Sequence, residues 1–171
     1  GKMSRIVSSP EEIKELGLAP ITPDISKAFL VESFNKILVT SSILNDFSPG
    51  ISTFIEKNDL LPFEEAKLYG HNAIHAMLGF LGKYKGYDSM AEVCIDQALM
   101  EIARNAFINE SGAALCKKHA SLNDPLFTEK GFSAYANDLL ERIGNPYLGD
   151  TVERAGRDIF RKLGPKDRLM G

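Results

Sequence analysis

Residues 62–86 read PFEEAKLYGHNAIHAMLGFLGKYKG, and their spacing predicts one long helix. Pro62 suits a first helical position, and Glu64 and Glu65 favour the positive end of the helix dipole. Apolar and small side chains recur at steps of three and four, as on one face of a helix: Phe63, Ala66, Tyr69, Gly70, Ala73, Met77, Phe80 and Leu81. The glycines of residues 82–86 are expected to end the helix.

The pattern stays helical towards the C-terminus. We expect further helices at residues 89–110, continuing at 113–119 after a break or bend at Ser111-Gly112, at 128–143, and from about Asp150 onward, with a turn at Asn145-Pro146. The candidate core of the helix at 89–110 is Met90, Val93, Ala98, Ile102, Ala106 and Phe107. The fold class is therefore mainly α.

Upstream of residue 62 the signals are mixed. Ser9 and Pro10 predict the start of a short helix that ends at Gly17. The β-branched residues of 37–40 favour a strand, and residues 46–50 predict a turn. We expect residues 1–28 to form a connector and residues 29–171 to form the helical domain.

Composition excludes several classes of protein. The 171 residues carry a formal charge of −3 and are 44% hydrophobic and 25% charged, which argues against bulk binding to nucleic acid. The longest apolar runs fall short of the roughly 20 residues that a membrane helix needs. Cys94 and Cys116 form no C-x-x-C pair and are expected to be buried thiols, so we expect a reduced, cytoplasmic setting.

A group of polar side chains on successive turns lies inside the first long helix. At about 100° per residue, Lys67, His71 and His75 share a stripe, and Asn72 lies just beside it. A buried lysine can exchange protons near neutral pH. An amide and an imidazole can hydrogen-bond to a carbonyl oxygen and polarise it. Apolar neighbours such as Leu68 and Met77 would supply part of the surroundings.

Two other interpretations of this stripe stay open on spacing alone. The lysine can be a solvated surface residue beside a core histidine whose hydrogen-bonding groups have partners inside the protein. Alternatively, His71 and His75 have the i, i+4 spacing of two zinc ligands. A zinc protease helix, however, carries Glu after its first histidine, where this chain has Asn72. We therefore expect no metal.

The segment K-L-Y-G-H-N-A-I-H resembles the K-x4-N-x2-H signature of the polyol-specific long-chain (mannitol) dehydrogenases. The resemblance implies that Lys67 is the general acid/base and that Asn72 and His75 bind the reacting oxygen. It also implies a helical C-terminal domain like those of 6-phosphogluconate dehydrogenase-type enzymes. Upstream, Val31–Phe34 is similar to the E-P-[FY] segment of the family, with Ser33 in place of proline. Ile74 stands where the family usually has a small residue.

The resemblance continues at residues 142–169, RIGNPYLGDTVERAGRDIFRKLGPKDRL. This stretch is similar to the mannitol-1-phosphate 5-dehydrogenase pattern, N-P-x3-D followed by R-x-G-R and R-K-L. The resemblance implies that Arg154 and Lys162 contact substrate, with Arg161 as a further candidate for a phosphate. Guanidinium groups suit phosphate oxygens physically as well, although a run of such charges is commonly a solvated helix face.

The family relationship implies an NAD-dependent enzyme that interconverts mannitol 1-phosphate and fructose 6-phosphate by hydride transfer. No G-x-G-x-x-G turn occurs in this sequence. We therefore expect NAD to be held mainly by an N-terminal Rossmann domain outside this chain, which would be a fragment, inactive alone and able to dimerise through exposed apolar surface. The alternatives are a mannitol 2-dehydrogenase or hexuronate reductase relative, or a non-catalytic helical interaction module.

Overall fold

The computed structural model of the chain describes residues 4–33, 36–41 and 50–171. Most of the predicted turn at 46–50 and Phe34 of the upstream segment lie outside these residues. The chain divides into two compact units, Gly1–Leu60 and Leu61–Gly171. We describe each unit by itself.

The first unit carries short strands and one short helix. Strand β1 (Ser4–Val7) pairs antiparallel with β2 (Ala28–Val31), with Ser4 opposite Val31. Strand β3 (Ile37–Thr40) pairs parallel with β4 (Phe54–Lys57), with Ile37 opposite Phe54. The strand predicted at residues 37–40 is therefore confirmed.

Helix α1 (Pro10–Glu15) lies between β1 and β2 and begins as predicted. The Ser9 side chain accepts a hydrogen bond from the Glu12 backbone N–H at 3.3 Å. The helix is followed by Gly17, whose φ of 61° is the left-handed conformation that glycine adopts without strain.

The boundary between the two compact units lies after Leu60 in the sequence, whereas the helical domain was expected to begin at residue 29. Strand β2 begins at Ala28 and pairs along its whole length with β1, so the backbone hydrogen bonds of this pair cross that boundary. The first unit accordingly extends to Leu60.

The second unit is helical, as the mainly α prediction requires. Its helices are α2 (Leu61–Glu65), α3 (Ala73–Lys85), α4 (Met90–Ile95), α5 (Gln97–Asn105), α6 (Ala113–His119), α7 (Glu129–Ile143), α8 (Val152–Gly156) and α9 (Ile159–Lys162). Two π-helical segments, Ala66–Asn72 and Ala106–Gly112, connect α2 to α3 and α5 to α6.

The long helix predicted from Pro62 is present but is not α-helical throughout. Its first π-helical segment, Ala66–Asn72, contains most of the predicted group of polar side chains. A π-helix has i→i+5 hydrogen bonds and a wider turn than an α-helix. The stripe drawn at 100° per residue therefore does not describe residues 66–72. The helix ends at Gly86, which has φ 81° and caps α3 as expected.

The predicted helix at 89–110 is interrupted at a different place from the one expected. Asp96 has ψ 103°, ends α4 and caps α5 by accepting from the Leu99 N–H at 3.2 Å. The predicted break at Ser111-Gly112 is absent, since the second π-helical segment runs directly into α6. The Asp96 carboxylate, which accepts a backbone N–H, thus ends the helix fifteen residues before the predicted break at Ser111.

The core of the second unit is built from its own helices. Seventeen buried side chains form one cluster: Ala66, Ile74, Leu78, Met90, Val93, Leu99, Ala103, Phe107, Leu115, Phe127, Phe132, Ala136, Leu139, Leu140, Ile143, Val152 and Ala155. The core assignments of Met90, Val93 and Phe107 are confirmed. Those of Ala98 and Ile102 were wrong, because the restart at Asp96 turns both towards solvent.

Within the part of the chain that the structure describes, no helix is both long enough and apolar enough to span a membrane.

Candidate active site

A close crossing of α3 and α8 brings together side chains that are about 80 residues apart in sequence. A Cβ atom on Gly79 of α3 would lie 2.7 Å from the carbonyl carbon of Ala155 and from the Gly156 nitrogen. Only a glycine permits this approach. It places His75, one turn before Gly79, beside Arg154, which precedes Ala155.

The segment before α8 is fixed by backbone contacts to the start of α4. The Met90 N–H donates to the Asp150 carbonyl at 3.0 Å, and the Val152 N–H donates to the Asp88 carbonyl at 2.9 Å. Ser89 and Thr151 form an antiparallel bridge. Asp150 is therefore held on both sides by backbone hydrogen bonds.

Asp150 joins His75 to Arg154. Its Oδ2 lies 2.7 Å from His75 Nε2 and 2.6 Å from a terminal nitrogen of Arg154. Its Oδ1 accepts from Arg154 Nε at 2.7 Å. The structure thus brings together two of the predicted site residues, His75 and Arg154, through a carboxylate to which the sequence analysis gave no role.

The charge state of Asp150 follows from its surroundings. Burial would raise the pKa of this carboxyl, but hydrogen bonds from His75 and Arg154 outweigh burial and lower the pKa to about 2. At neutral pH the carboxylate only accepts hydrogen bonds. His75 must therefore carry a proton on Nε2, which leaves Nδ1 as the ring nitrogen that Asp150 does not engage.

His71 has a different environment, although it lies one turn from His75. It is buried, and its ring centroid lies 6.2 Å from that of His75 in an edge-on arrangement. Burial, followed by the charges of His75 and Arg142, lowers the pKa of His71 to about 3. His71 is consequently a neutral, buried residue at physiological pH.

Lys67 and Asn72 lie on the first π-helical segment. Lys67 is exposed and Asn72 is half-buried. A lysine needs burial to exchange protons at neutral pH. The described part of this chain leaves Lys67 exposed and does not provide that burial. Ile74, which precedes His75, is 3% exposed and belongs to the core cluster.

The backbone of this π-helical segment is braced by the second one. A Cβ on Gly70 would lie 2.7 Å from the Phe107 ring, so the two segments touch there. The Ser111 hydroxyl donates to the Tyr69 carbonyl at 2.8 Å, and the Tyr135 hydroxyl donates to the Ala66 carbonyl at 3.5 Å. These hydroxyls satisfy carbonyls that the wider helix offers, and no motif in the sequence indicated them.

The predicted substrate-binding residues near the C-terminus have separate environments. Arg154 has a half-exposed side chain whose Nε edge faces Asp150. Arg161 is also half-exposed and pairs with Asp167 at 3.2 Å and Asp158 at 3.6 Å. Lys162 is 5% exposed, donates to the Ala155 carbonyl at 2.7 Å and lies 5.9 Å from the centre of the Phe80 ring.

Burial, followed by nearby arginines, lowers the pKa of Lys162. Its amine holds the Ala155 carbonyl just past Arg154, so in this structure Lys162 braces the end of α8. Of the three C-terminal candidates, Arg154 and Arg161 present guanidinium groups to solvent.

Other reactive groups lie apart from this cluster. Both cysteines are half-buried, and burial raises the pKa of the Cys94 thiol to about 11. Among the described residues, no group of three or more His, Cys, Asp or Glu side chains is arranged to hold a metal ion. An open cavity of about 480 Å³ between α4, α5 and α7 is lined by Cys94, Arg104 and Glu141 among others and contains none of the six predicted site residues.

Comparison with known proteins gives the family. The mannitol dehydrogenase C-terminal domain family matches residues 59–171. The chain therefore belongs to the mannitol dehydrogenase C-terminal domain family, and the predicted relationship is confirmed.

A solved structure of Pseudomonas fluorescens mannitol 2-dehydrogenase, described as a ternary complex with NAD and D-mannitol, shares the fold. The TM-score is 0.64 at 20% sequence identity, and the match covers 91% of this chain. The chain spans about 30% of the length of that protein.

Proposed function

We propose that this chain is the substrate-binding and catalytic domain of an NAD-dependent polyol dehydrogenase, most specifically one that interconverts mannitol 1-phosphate and fructose 6-phosphate. The observation that carries the proposal is the junction of His75 and Arg154 through Asp150, in a chain of the mannitol dehydrogenase C-terminal family. A histidine of the K-x4-N-x2-H segment and an arginine of the C-terminal segment thereby form one polar cluster.

The chemistry proposed for this chain is proton transfer and orientation of the reacting carbon–oxygen group. Lys67 would take the proton of the hydroxyl that is oxidised and return it in the reverse direction. Asn72 would donate a hydrogen bond to the reacting oxygen. Because Nε2 of His75 is committed to Asp150, Nδ1 would accept from a hydroxyl when the ring is neutral and donate when it is protonated.

The nicotinamide group would supply the hydride acceptor or donor. The residues that the structure describes do not fit a dinucleotide cradle, because the sequence that follows each of the parallel strands β3 and β4 is not glycine-rich. We propose that another domain of the whole protein, of the Rossmann type, holds NAD and also covers Lys67. That cover would remove water from the lysine, a condition that its exposed position here does not meet.

A phosphorylated substrate is favoured by the guanidinium groups of Arg154 and Arg161, both half-exposed on the C-terminal segment. The second candidate is oxidation of an unphosphorylated polyol, as by a mannitol 2-dehydrogenase or a hexuronate reductase. It is favoured by the pairing of Arg161 with Asp158 and Asp167, which offsets part of the positive charge that a phosphate would need. A cytoplasmic setting accords with either reaction.

Turnover by the full-length protein tests this proposal. We expect NADH-dependent reduction of fructose 6-phosphate, with kcat/KM at least about tenfold above that for fructose, since one charge-assisted contact contributes about 1.5 kcal/mol or more. A preference for fructose or a uronate would overturn the phosphorylated substrate and select the second candidate. No turnover of any of them with NADH or NADPH would overturn the proposed function.

A further inference from the structure

The carboxylate of Asp150 receives three donor contacts from two different helices. His75 Nε2 comes from α3, and Arg154 Nε and a terminal nitrogen come from α8, all within 2.7 Å. The Asp150 side chain is 6% exposed, so it lies behind the two residues rather than at the surface. We propose that Asp150 is a positioning residue that fixes the tautomer of His75 and the orientation of Arg154, so that both act on one substrate. This inference rests on the proposed function.

The placement of Asp150 does not depend on the side chains that it holds. The preceding turn is set by Asn145, whose side chain accepts from the Tyr147 N–H at 3.0 Å, and by Gly149, which has φ 58°. The Asp150 carbonyl is then fixed by the Met90 N–H of α4. The carboxylate is thus a fixed point to which His75 and Arg154 orient, which is how preorganised sites limit the freedom of their contacting residues.

The position of the proton on His75 follows from Asp150. The ionised carboxylate cannot donate, so the neutral ring of His75 takes the Nε2–H form. Charged and titratable groups come near this contact from several elements. His71 precedes His75 on the same helix, and Arg154 comes from α8. The charges of Arg142 and Lys67 act on His71, and Cys94 of α4 is close enough to Asp150 for the carboxylate charge to act on its thiol.

Arg154 is oriented by the same carboxylate. Its Nε and one terminal nitrogen face Asp150, so the other terminal nitrogen is directed away from it. A half-exposed guanidinium held in this way has lost part of its rotamer freedom before substrate binds. Asp150 therefore connects a residue that contacts the reacting oxygen with a residue that contacts a distant substrate oxygen.

Asp150→Asn is the sharpest substitution because it keeps the shape of the side chain and replaces one acceptor oxygen by a donor. In one orientation the amide nitrogen faces Arg154 Nε at the Oδ1 position, and in the other it faces both His75 Nε2 and a terminal nitrogen of Arg154 at the Oδ2 position. In the second orientation, His75 relieves its own part of the conflict by moving its proton to Nδ1. Asp150→Glu keeps the charge and serves as the conservative variant. Asp138→Asn is the matched control, since it replaces a half-exposed carboxylate that pairs with Arg142 at i, i+4 rather than with His75 or Arg154.

The experiment measures the His75 tautomer and turnover in the full-length enzyme. Imidazole ¹⁵N NMR of histidine-labelled protein, assigned by the signals lost in His75→Gln, should give the Nε2–H form in the unsubstituted enzyme and in Asp138→Asn. Asp150→Asn should shift the ring towards Nδ1–H and lower kcat/KM for the polyol about 10²-fold, mainly through kcat, with an unchanged helical circular dichroism spectrum. Asp150→Glu should recover part of this loss and keep the Nε2–H form.

Two results would overturn the inference. One is an unchanged His75 tautomer in Asp150→Asn, and the other is turnover by Asp150→Asn equal to that of Asp138→Asn. If Asp150→Asn does not fold, Asp150→Glu decides, because a failure to keep Nε2–H there equally contradicts the assignment. An enzyme inactive on every polyol, with the NMR result as expected, would overturn the proposed function and leave the control of His75 by Asp150 in place.

Discussion

Burial and pairing give two histidines of one helix opposite characters. His71 has no carboxylate beside it in the described contacts, and burial lowers its pKa from 6.5 to about 3. His75, four residues later, is joined to the ionised Asp150. His71 is therefore a core residue, whereas His75 is a polar residue of the candidate active site.

The lowered pKa of His71 predicts a pH dependence of stability. The unfolded chain binds a proton at His71 below pH 6.5, whereas the folded chain does not bind it until the pH approaches about 3. This contribution is therefore complete above pH 6.5 and is lost as the pH falls towards 3, with a slope of up to about 1.4 kcal/mol per pH unit. We expect His71→Gln to reduce the slope of the unfolding free energy, measured by urea denaturation between pH 4 and pH 6.5. Equal slopes in the variant and the unsubstituted protein would contradict this assignment.

Lys67 is the residue on which the proposed proton transfer depends. In the full-length enzyme, Lys67→Ala should lower kcat by about 10²–10³-fold or more, the usual loss when a catalytic donor is removed, while NADH binding measured by fluorescence stays near normal. Lys83→Ala, an exposed lysine near the end of the same helix, is the control and should leave kcat unchanged. Loss of NADH binding in Lys67→Ala alone would assign this lysine to the cofactor side of the site.

At the scale of secondary-structure elements, the crossing of α3 and α8 determines whether the site forms. Gly79→Ala would place a methyl group 2.7 Å from backbone atoms of Ala155 and Gly156, which cannot move as a flexible side chain does. We expect a loss of about 1–3 kcal/mol in unfolding free energy, measured by denaturation, and a separation of Arg154 from His75 that lowers kcat/KM as well. Gly50→Ala, where an added Cβ meets no atom of the described residues within 4 Å, is the control. A Gly79→Ala variant as stable and active as that control would show that the crossing tolerates a wider spacing.

Sequence periodicity predicted the existence of the elements better than their internal geometry. The helix from Pro62, the helix at residues 128–143 and the cap at Ser9 were predicted because local signals determine them. The π-helical segments were not predicted, since they depend on tertiary contacts. Examples are the packing of Gly70 against the Phe107 ring and the hydrogen bond from the Ser111 hydroxyl to the Tyr69 carbonyl. For the same reason the contact of Asp150 with His75 was not predicted, although Asp150 is the aspartate of the N-P-x3-D pattern, since only the tertiary fold brings the start of α8 to α3.

At the scale of the whole molecule, the two compact units differ in the amount of core that each contains. All seventeen members of the core cluster lie between Ala66 and Ala155, inside the second unit. Of the described residues of the first unit, the buried apolar ones are Val7 and Ala28, and its strands form two separate two-stranded sheets. Such pairs are marginal in water without a shared apolar face.

This difference predicts independent folding of one unit only. Residues 61–171 produced alone should give a helical circular dichroism spectrum and a single cooperative thermal transition, since their core is complete within the segment. Residues 1–60 alone should show no cooperative transition, because the two buried apolar residues in the described part of this unit cannot offset the conformational entropy of ordering the chain. Asp138→Asn in the 61–171 segment, which changes one ion pair whose carboxylate is half-exposed, should shift its midpoint little. A non-cooperative transition for residues 61–171 would mean that the helical unit depends on contacts from outside it, and the residues of the candidate active site would then be ordered only in the complete protein.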